Sequence, residues 1–253
     1  MSVREKLTAI ADAIRNRTGE TSLMSLDAMA QGVDAVFDEG QTAGKEGFWD
    51  DLQNEGKRTD YRYAFFNTGF TSVDPKWPIK VLNADSFMAG ANRLVTVNWD
   101  KFDLSEVSSL YNAFGFCYLL QEVDTDLNVT ATGATLMNSI FRNCYALQRV
   151  KKLTAFPAAV WKQSFEGCGE LTHIIFDGTI GSSGLDLHWS TKLDRESIES
   201  IINALSPDTT GLSVTLSYDA VAQWWGSGDA YNDISADFYA LCDTKPNWTI
   251  TLL

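Results

Sequence analysis

Three ten-residue stretches constrain this chain more than anything else in it. Phe114-Gly-Phe-Cys-Tyr-Leu-Leu-Gln-Glu-Val123, Phe141-Arg-Asn-Cys-Tyr-Ala-Leu-Gln-Arg-Val150 and Phe165-Glu-Gly-Cys-Gly-Glu-Leu-Thr-His-Ile174 all read F-x-x-C-x-x-L-x-x-[V/I]. A looser copy precedes them, Phe87 with Gly90, Leu94 and Val97, carrying one extra residue before the leucine. Phe66, Gly69 and Val73 form a degenerate opening turn. The phenylalanines at 87, 114, 141 and 165 recur at intervals of 27, 27 and 24 residues. A period of this size marks stacked structural repeats. One turn cannot cover its own apolar face, so each must bury it against the next. The expected core ladder is therefore Phe87, Leu94, Phe114, Cys117, Leu120, Phe141, Cys144, Leu147, Phe165, Cys168 and Leu171.

The flanks read differently. Over residues 1–58, Ser2 and Glu5 make a capping box ahead of an apolar stripe of Leu7, Ile10 and Ile14. Met29, Val33 and Phe37 make a second stripe in a second helix. Short helices of this kind need a partner surface, so these residues are the expected oligomerisation or attachment element. From 179 onward the repeat stops. Residues 190–205 predict a helix with Leu193, Ile198, Ile201, Ile202 and Leu205 inward, and 212–217 alternates like a strand. A helix through Phe238 and Leu241 and a last strand over 247–253 complete an α/β cap, which an open solenoid needs over its final turn.

Charge and composition narrow the function. Lys and Arg number 20 against 33 Asp and Glu, a net charge of −13 that repels phosphate backbones and argues against nucleic acid as a partner. The last 75 residues hold ten acidic side chains against Lys192, Arg195 and Lys245, so over half of that charge lies there. No apolar run reaches the ~20 residues of a membrane helix, so no membrane insertion is expected. The charged N-terminus has no apolar signal core, which predicts synthesis in the cytoplasm.

Candidate chemistry is sparse. Cys117, Cys144 and Cys168 hold one position in successive turns and should stack as small buried groups; paired zinc-ligand spacing is absent. The two histidines, His173 and His188, carry no hydrolase or metalloprotease motif. Residues 40–46 fail as a phosphate loop because Glu46 stands where a Ser or Thr is needed. Asp124 with Asp126, and the group Asp229, Asn232, Asp233 and Asp237, read as solvated acidic loops. No catalytic residue, metal site or cofactor is expected. The adjacent Trp224 and Trp225, with Tyr231 beyond a Gly-Ser-Gly turn, are the candidate recognition residues, since exposed aromatics give contact area at low entropic cost.

The F-x-x-C-x-x-L-x-x-[V/I] turns resemble bacterial leucine-rich repeats of the BspA-like type. The opening KLTAIADAIRNRTGETSLMSLDAMAQGV is similar to the N-terminal segment of tail and virion-associated proteins of phages that infect Firmicutes. DGTIGSSGLDLHWSTKLDRESIESIINALS and KPNWTITLL resemble the tail ends of repeat proteins from the same group. These resemblances imply an α/β repeat fold. Its parts are a helical segment over 1–58, a short leucine-rich-repeat solenoid over 59–178 and an α/β cap over 179–253. They also imply a non-enzymatic structural protein of the virion, made in the host cytoplasm and associated with the tail or its fibres. Its partners would be other virion proteins, further copies of itself and a host-surface glycan or protein. The alternatives are a capsid-associated decoration protein and a prophage-encoded adhesion or interaction module.

Overall fold

Five coils wind between Tyr61 and Gly178, and each begins with a bend that the sequence pattern explains. The computed structural model describes residues 61–75, 77–128, 137–226 and 233–253, all within the unit Thr59–Leu253. The stripes of Leu7, Ile10, Ile14, Met29, Val33 and Phe37 lie outside the described residues. Every bend carries two left-handed residues four apart: Tyr63 and Asn67, Ser86 and Gly90, Asn112 and Phe116, Ser139 and Asn143, Gln163 and Gly167. Left-handed backbone costs an ordinary L-residue about 1–2 kcal/mol and costs Asn and Gly least, which is why those residues recur here. Gly167 shows a second constraint, because a Cβ there would meet Asn143 Oδ1 at 2.8 Å.

Within a bend the amides alternate between two partners. The Ala113 N–H donates back to the Leu110 carbonyl at 3.1 Å, whereas the Phe114 N–H donates to Ile140 of the next coil at 2.9 Å. After the bend the chain extends, and the extended segments stack in parallel. β1 (Ser72–Val73) pairs with β3 (Thr96–Val97), and β2 (Ile79–Lys80) pairs with β4 (Phe102–Asp103). β5 (Glu122–Asn128), β6 (Arg149–Ala155) and β7 (His173–Gly178) make one sheet, with Val123, Val150 and Ile174 in register. The protein is thus a parallel β-solenoid. Its coils join a strand to a turn-built bend rather than to a helix, and the α-helices among the described residues all lie after the fifth coil.

The eleven ladder residues are all buried, with relative exposure of 0%. The rings of Phe114 and Phe141 stack at 5.5 Å and 11°, and Phe141 meets Phe165 at 5.6 Å. Such pairs contribute about 0.5–1.5 kcal/mol each beyond area burial.

Two early positions differ from the sequence expectation. The left-handed pairs centre on 65, 88, 114, 141 and 165, so Met88 and not Phe87 stands in the phenylalanine register. The cysteine bonds agree: Cys144 Sγ donates to Phe114 O, Cys168 Sγ to Phe141 O, and Cys117 Sγ to Met88 O. Counted from Met88 the spacing is regular, with Ala91 in the cysteine column and Leu94 and Val97 following. The extra residue disappears. Phe87 is buried one position earlier, its ring lying between those of Phe65 at 5.3 Å and Phe114 at 6.5 Å. In the opening coil the core ring is Phe65, whose N–H donates to the Phe87 carbonyl at 2.8 Å. Phe66, the residue read from sequence, is 45% exposed.

Beyond β7 a helix replaces the next strand. α1 (Arg195–Ala204) lies along the open edge of β7 and buries Ile198, Ile201 and Ile202. Its serines take over the role of strand carbonyls: Ser197 Oγ accepts from the Ile174 N–H at 2.9 Å, and Ser200 Oγ from the Phe176 N–H at 3.1 Å. Asp194 caps the helix by accepting from the Ser197 N–H at 2.8 Å, so the helix begins later than the 190 expected from sequence. At the other end Lys245 Nζ donates to the carbonyls of Asn203 and Leu205, placing a cation against the negative end of the helix. The cap is completed by β8 (Leu185–Leu187), β9 (Leu212–Leu216) and β10 (Trp248–Leu252), a parallel sheet in the order β10-β9-β8. α2 (Tyr218–Trp225) and α3 (Ala236–Asp243) connect β9 to β10.

Asp194 supplies an acid-sensitive contact in this cap. Burial alone would raise its carboxyl, but bonds from the Ser197 hydroxyl, from His173 at 2.7 Å and from the Ser197 N–H together hold it below the usual 3.8. A carboxyl lowered on folding contributes stability above its unfolded pKa and loses it as pH falls through the folded one. Asp194→Asn should therefore lower stability at neutral pH and flatten the decline below about pH 4, measured by urea unfolding across pH. An acid limb identical to that of the parent chain would remove this role.

Candidate functional site

Of the three aromatic residues singled out for recognition, the described structure buries Trp225 and leaves Trp224 exposed. Trp225 is buried at 4% exposure, packed on the Phe238 ring at 5.4 Å and under the Arg195 guanidinium at 4.9 Å. A ring held on both faces is core, and it is withdrawn as a recognition residue. Trp224 is 43% exposed, and its indole N–H donates to the Leu193 carbonyl at 2.9 Å, which ties α2 to the cap. Tyr231, Asp229 and Asn232 lie outside the described residues. The adjacent pair on one helix cannot share a face, and the inward place went to the residue that meets Phe238.

A cleft of about 530 Å³ opens instead where the fifth coil meets the cap. One wall is the outer surface of the fifth bend: Val160, Lys162, Gln163 and Glu166. The other is built by strand alternation. In β8 the side chains of Leu185 and Leu187 turn into the core, which leaves Asp186 outward. In β9 Val214 and Leu216 turn inward and leave Ser213 and Thr215 outward. Asp186 pairs with Thr215 in the β8–β9 register, so carboxylate and hydroxyl stand side by side. Ser183, whose Oγ accepts from the Ser213 N–H at 3.0 Å, and Gly184 close that side. His188 and Trp189 form the rim, their rings 4.9 Å apart, with Trp189 49% exposed.

The two carboxylates of this cleft are engaged by neighbours. Asp186 Oδ1 accepts from the His188 N–H at 3.0 Å and meets its Nδ1 at 2.7 Å, which fixes the imidazole over the strand end. Glu166 is paired with Arg142 at 3.3 Å. Lys162 stands exposed on the opposite wall. The site therefore offers one flat aromatic face, several hydroxyls and amides, and contacts to Asp186 and Glu166 that keep those carboxylates oriented.

The remaining candidates resolve into structural roles. Cys117, Cys144 and Cys168 form a buried column, each donating to the coil before it. Burial pushes the Cys117 and Cys168 thiols up to about 12 and Cys144 well above the ordinary thiol range, so all three are protonated at neutral pH. Burial, with help from Asp243, raises Cys242 to about 11. His173 is bound to Asp194 in the cap. Asp126 bridges Lys151 and Lys152 on the outer face of the sheet. Among the described residues no three His, Cys, Asp or Glu side chains converge as metal ligands would, and no helix is long and apolar enough to cross a membrane.

Residues 181–188 carry glycines and serines but no motif in the sequence. Their partners Lys162, Gln163 and Glu166 gave no signal, because they become neighbours of Asp186 only when coils stack. Comparison with family models, with curated proteins and with solved structures finds no match for this chain.

Proposed function

We propose that this chain is a non-enzymatic structural protein of a phage particle, associated with the tail or its fibres, that acts in assembly and host recognition. On this reading the coils are short leucine-rich repeats of the BspA-like type, serving as a rigid spacer. The N-terminal segment carrying Leu7, Ile10, Ile14, Met29, Val33 and Phe37 joins the chain to copies of itself and to other virion proteins. The observation that carries the recognition half is the open cleft at the cap, with Trp189 half exposed on its rim. Binding sites commonly sit on loops held by a rigid scaffold, and this one stands on loops between stacked coils and a sheet. On this reading the bonds of His173 to Asp194 and of His188 to Asp186 serve the cap and the cleft rim.

Particles purified from an induced lysate test this reading. Antibody labelling under the electron microscope should place the chain at the tail. Removing residues 1–40 should leave a folded, less associated protein that no longer enters particles. Label over the shell would favour a decoration protein, and a chain absent from every particle would favour a prophage-encoded adhesion module. A full-length chain that is monomeric at high concentration and beside its virion partners would end the attachment role of the N-terminal segment.

A further inference from the structure

We infer that the cleft between the fifth coil and the outer face of β8 and β9 is a binding site for neutral or N-acetylated hexopyranose units. The inference deepens the recognition reading and rests on it for the source of the sugar.

Four features point to this class of ligand. First, Trp189 presents an exposed indole at the rim, with His188 packed at 4.9 Å to hold it in place. The electron-rich face of an indole suits the slightly positive C–H face of a pyranose ring, and it costs little entropy because the side chain has two torsions. Secondly, the walls mix paired donors and acceptors with apolar surface. Asp186 lies beside Thr215, with Lys162 and Glu166 across the cleft, an arrangement that can grip adjacent hydroxyls of one ring. The apolar part of the lining, from Val160 and Trp189, suits the C–H face of a sugar ring beside its hydroxyls.

Thirdly, the polar groups are preorganised. His188 holds Asp186 and Arg142 holds Glu166, so a hydroxyl-bearing ligand meets fixed partners and little ordering remains to oppose binding. Fourthly, charge selects among sugars. Asp186 and Glu166 are offset in the cleft by Lys162 and by Arg142 on Glu166, so the selection comes from the chain as a whole, with its net charge of −13. A polyphosphate or uronate chain would be repelled, whereas uncharged rings would not.

The test uses the full-length chain in isothermal titration against four probes: chitotriose, maltotriose, a galactan oligosaccharide and, as the anionic contrast, poly(glycerol phosphate). Binding to at least one of the three neutral or N-acetylated probes is expected. Trp189→Ala should weaken it by about two- to tenfold, the scale on which one aromatic contact matters. Asp186→Asn should weaken it as well, and it serves as the second variant should the first fail to fold. Tyr145→Ala removes an equally exposed ring outside the cleft and should leave affinity unchanged. Failure of all three neutral probes, binding of poly(glycerol phosphate) alone, or a Trp189→Ala chain that folds and binds normally would overturn the inference. A chain that binds sugar but never enters particles would end the virion reading and leave this site standing. A chain that is present at the tail and binds none of the sugars would do the reverse. Release of reducing ends during the titration would count against the non-enzymatic reading alone.

Discussion

Phe141→Ala should lower the unfolding free energy by about 3–5 kcal/mol, and Leu147→Ala by about 2–5 kcal/mol. Phe141 is the middle ring of the run Phe114, Phe141 and Phe165, with a neighbour at 5.5 Å on one side and 5.6 Å on the other. Truncation there removes two ring contacts and leaves a cavity that the coils above and below cannot close without moving the whole bend. In a unit of this size the change corresponds to a fall in Tm of roughly 6–20 °C. Cys144→Ala is the internal contrast. It deletes one sulfur and its bond to the Phe114 carbonyl, and should cost about 1 kcal/mol. Thermal and urea unfolding of the three variants would check the order. Unchanged melting of the phenylalanine and leucine variants would mean that the ladder does not carry the stability of the solenoid.

The contrast between coils explains what could be read from sequence. Columns occupied by the same residue three times, at Cys117, Cys144 and Cys168 and at Leu120, Leu147 and Leu171, were legible because repetition itself is the signal. The second coil was misplaced by one residue for a physical reason. Its large ring sits at Phe87, one place before the column, and the column holds Met88, which fills the same volume. Matching by residue type followed the ring, while the backbone followed the left-handed pair Ser86 and Gly90. The opening coil went wrong in the same way, because adjacent Phe65 and Phe66 are indistinguishable by type and only the bond to Phe87 O decides between them.

The candidate site was less legible still. Trp224 and Trp225 drew attention as a rare pair, yet their roles are set by the helix on which they lie and by Phe238, which is thirteen residues beyond Trp225 in the chain. Trp189 gave no such local signal. Its importance comes from Asp186 and Thr215 beside it and from Lys162 and Glu166 across the cleft, all placed by coil stacking and strand register.

The end of the solenoid carries the other large expectation. The double variant Ser197→Ala, Ser200→Ala should cost about 2–5 kcal/mol, although both changes are small and both alanines favour a helix. Helix propensity alone would predict stabilisation, so the sign of the effect is decisive. The reason lies in β7. Every inner strand of the sheet satisfies its amides with the neighbouring coil, but β7 has only α1 beyond it, and a helix keeps its own carbonyls. The two serine hydroxyls stand in for the missing carbonyls, at 2.9 Å from the Ile174 N–H and 3.1 Å from the Phe176 N–H. Ile174 is fully buried, so its N–H would find no water in exchange, and an unpaired buried donor costs about 1–3 kcal/mol. A loosened α1 would also expose a parallel strand edge, a template for further strands. The variant should therefore show earlier hydrogen exchange at Ile174 and Phe176 and a concentration-dependent growth in particle size on mild heating. A variant as stable as its parent, with the same protection at those two amides, would show that apolar packing of Ile198, Ile201 and Ile202 closes the solenoid by itself.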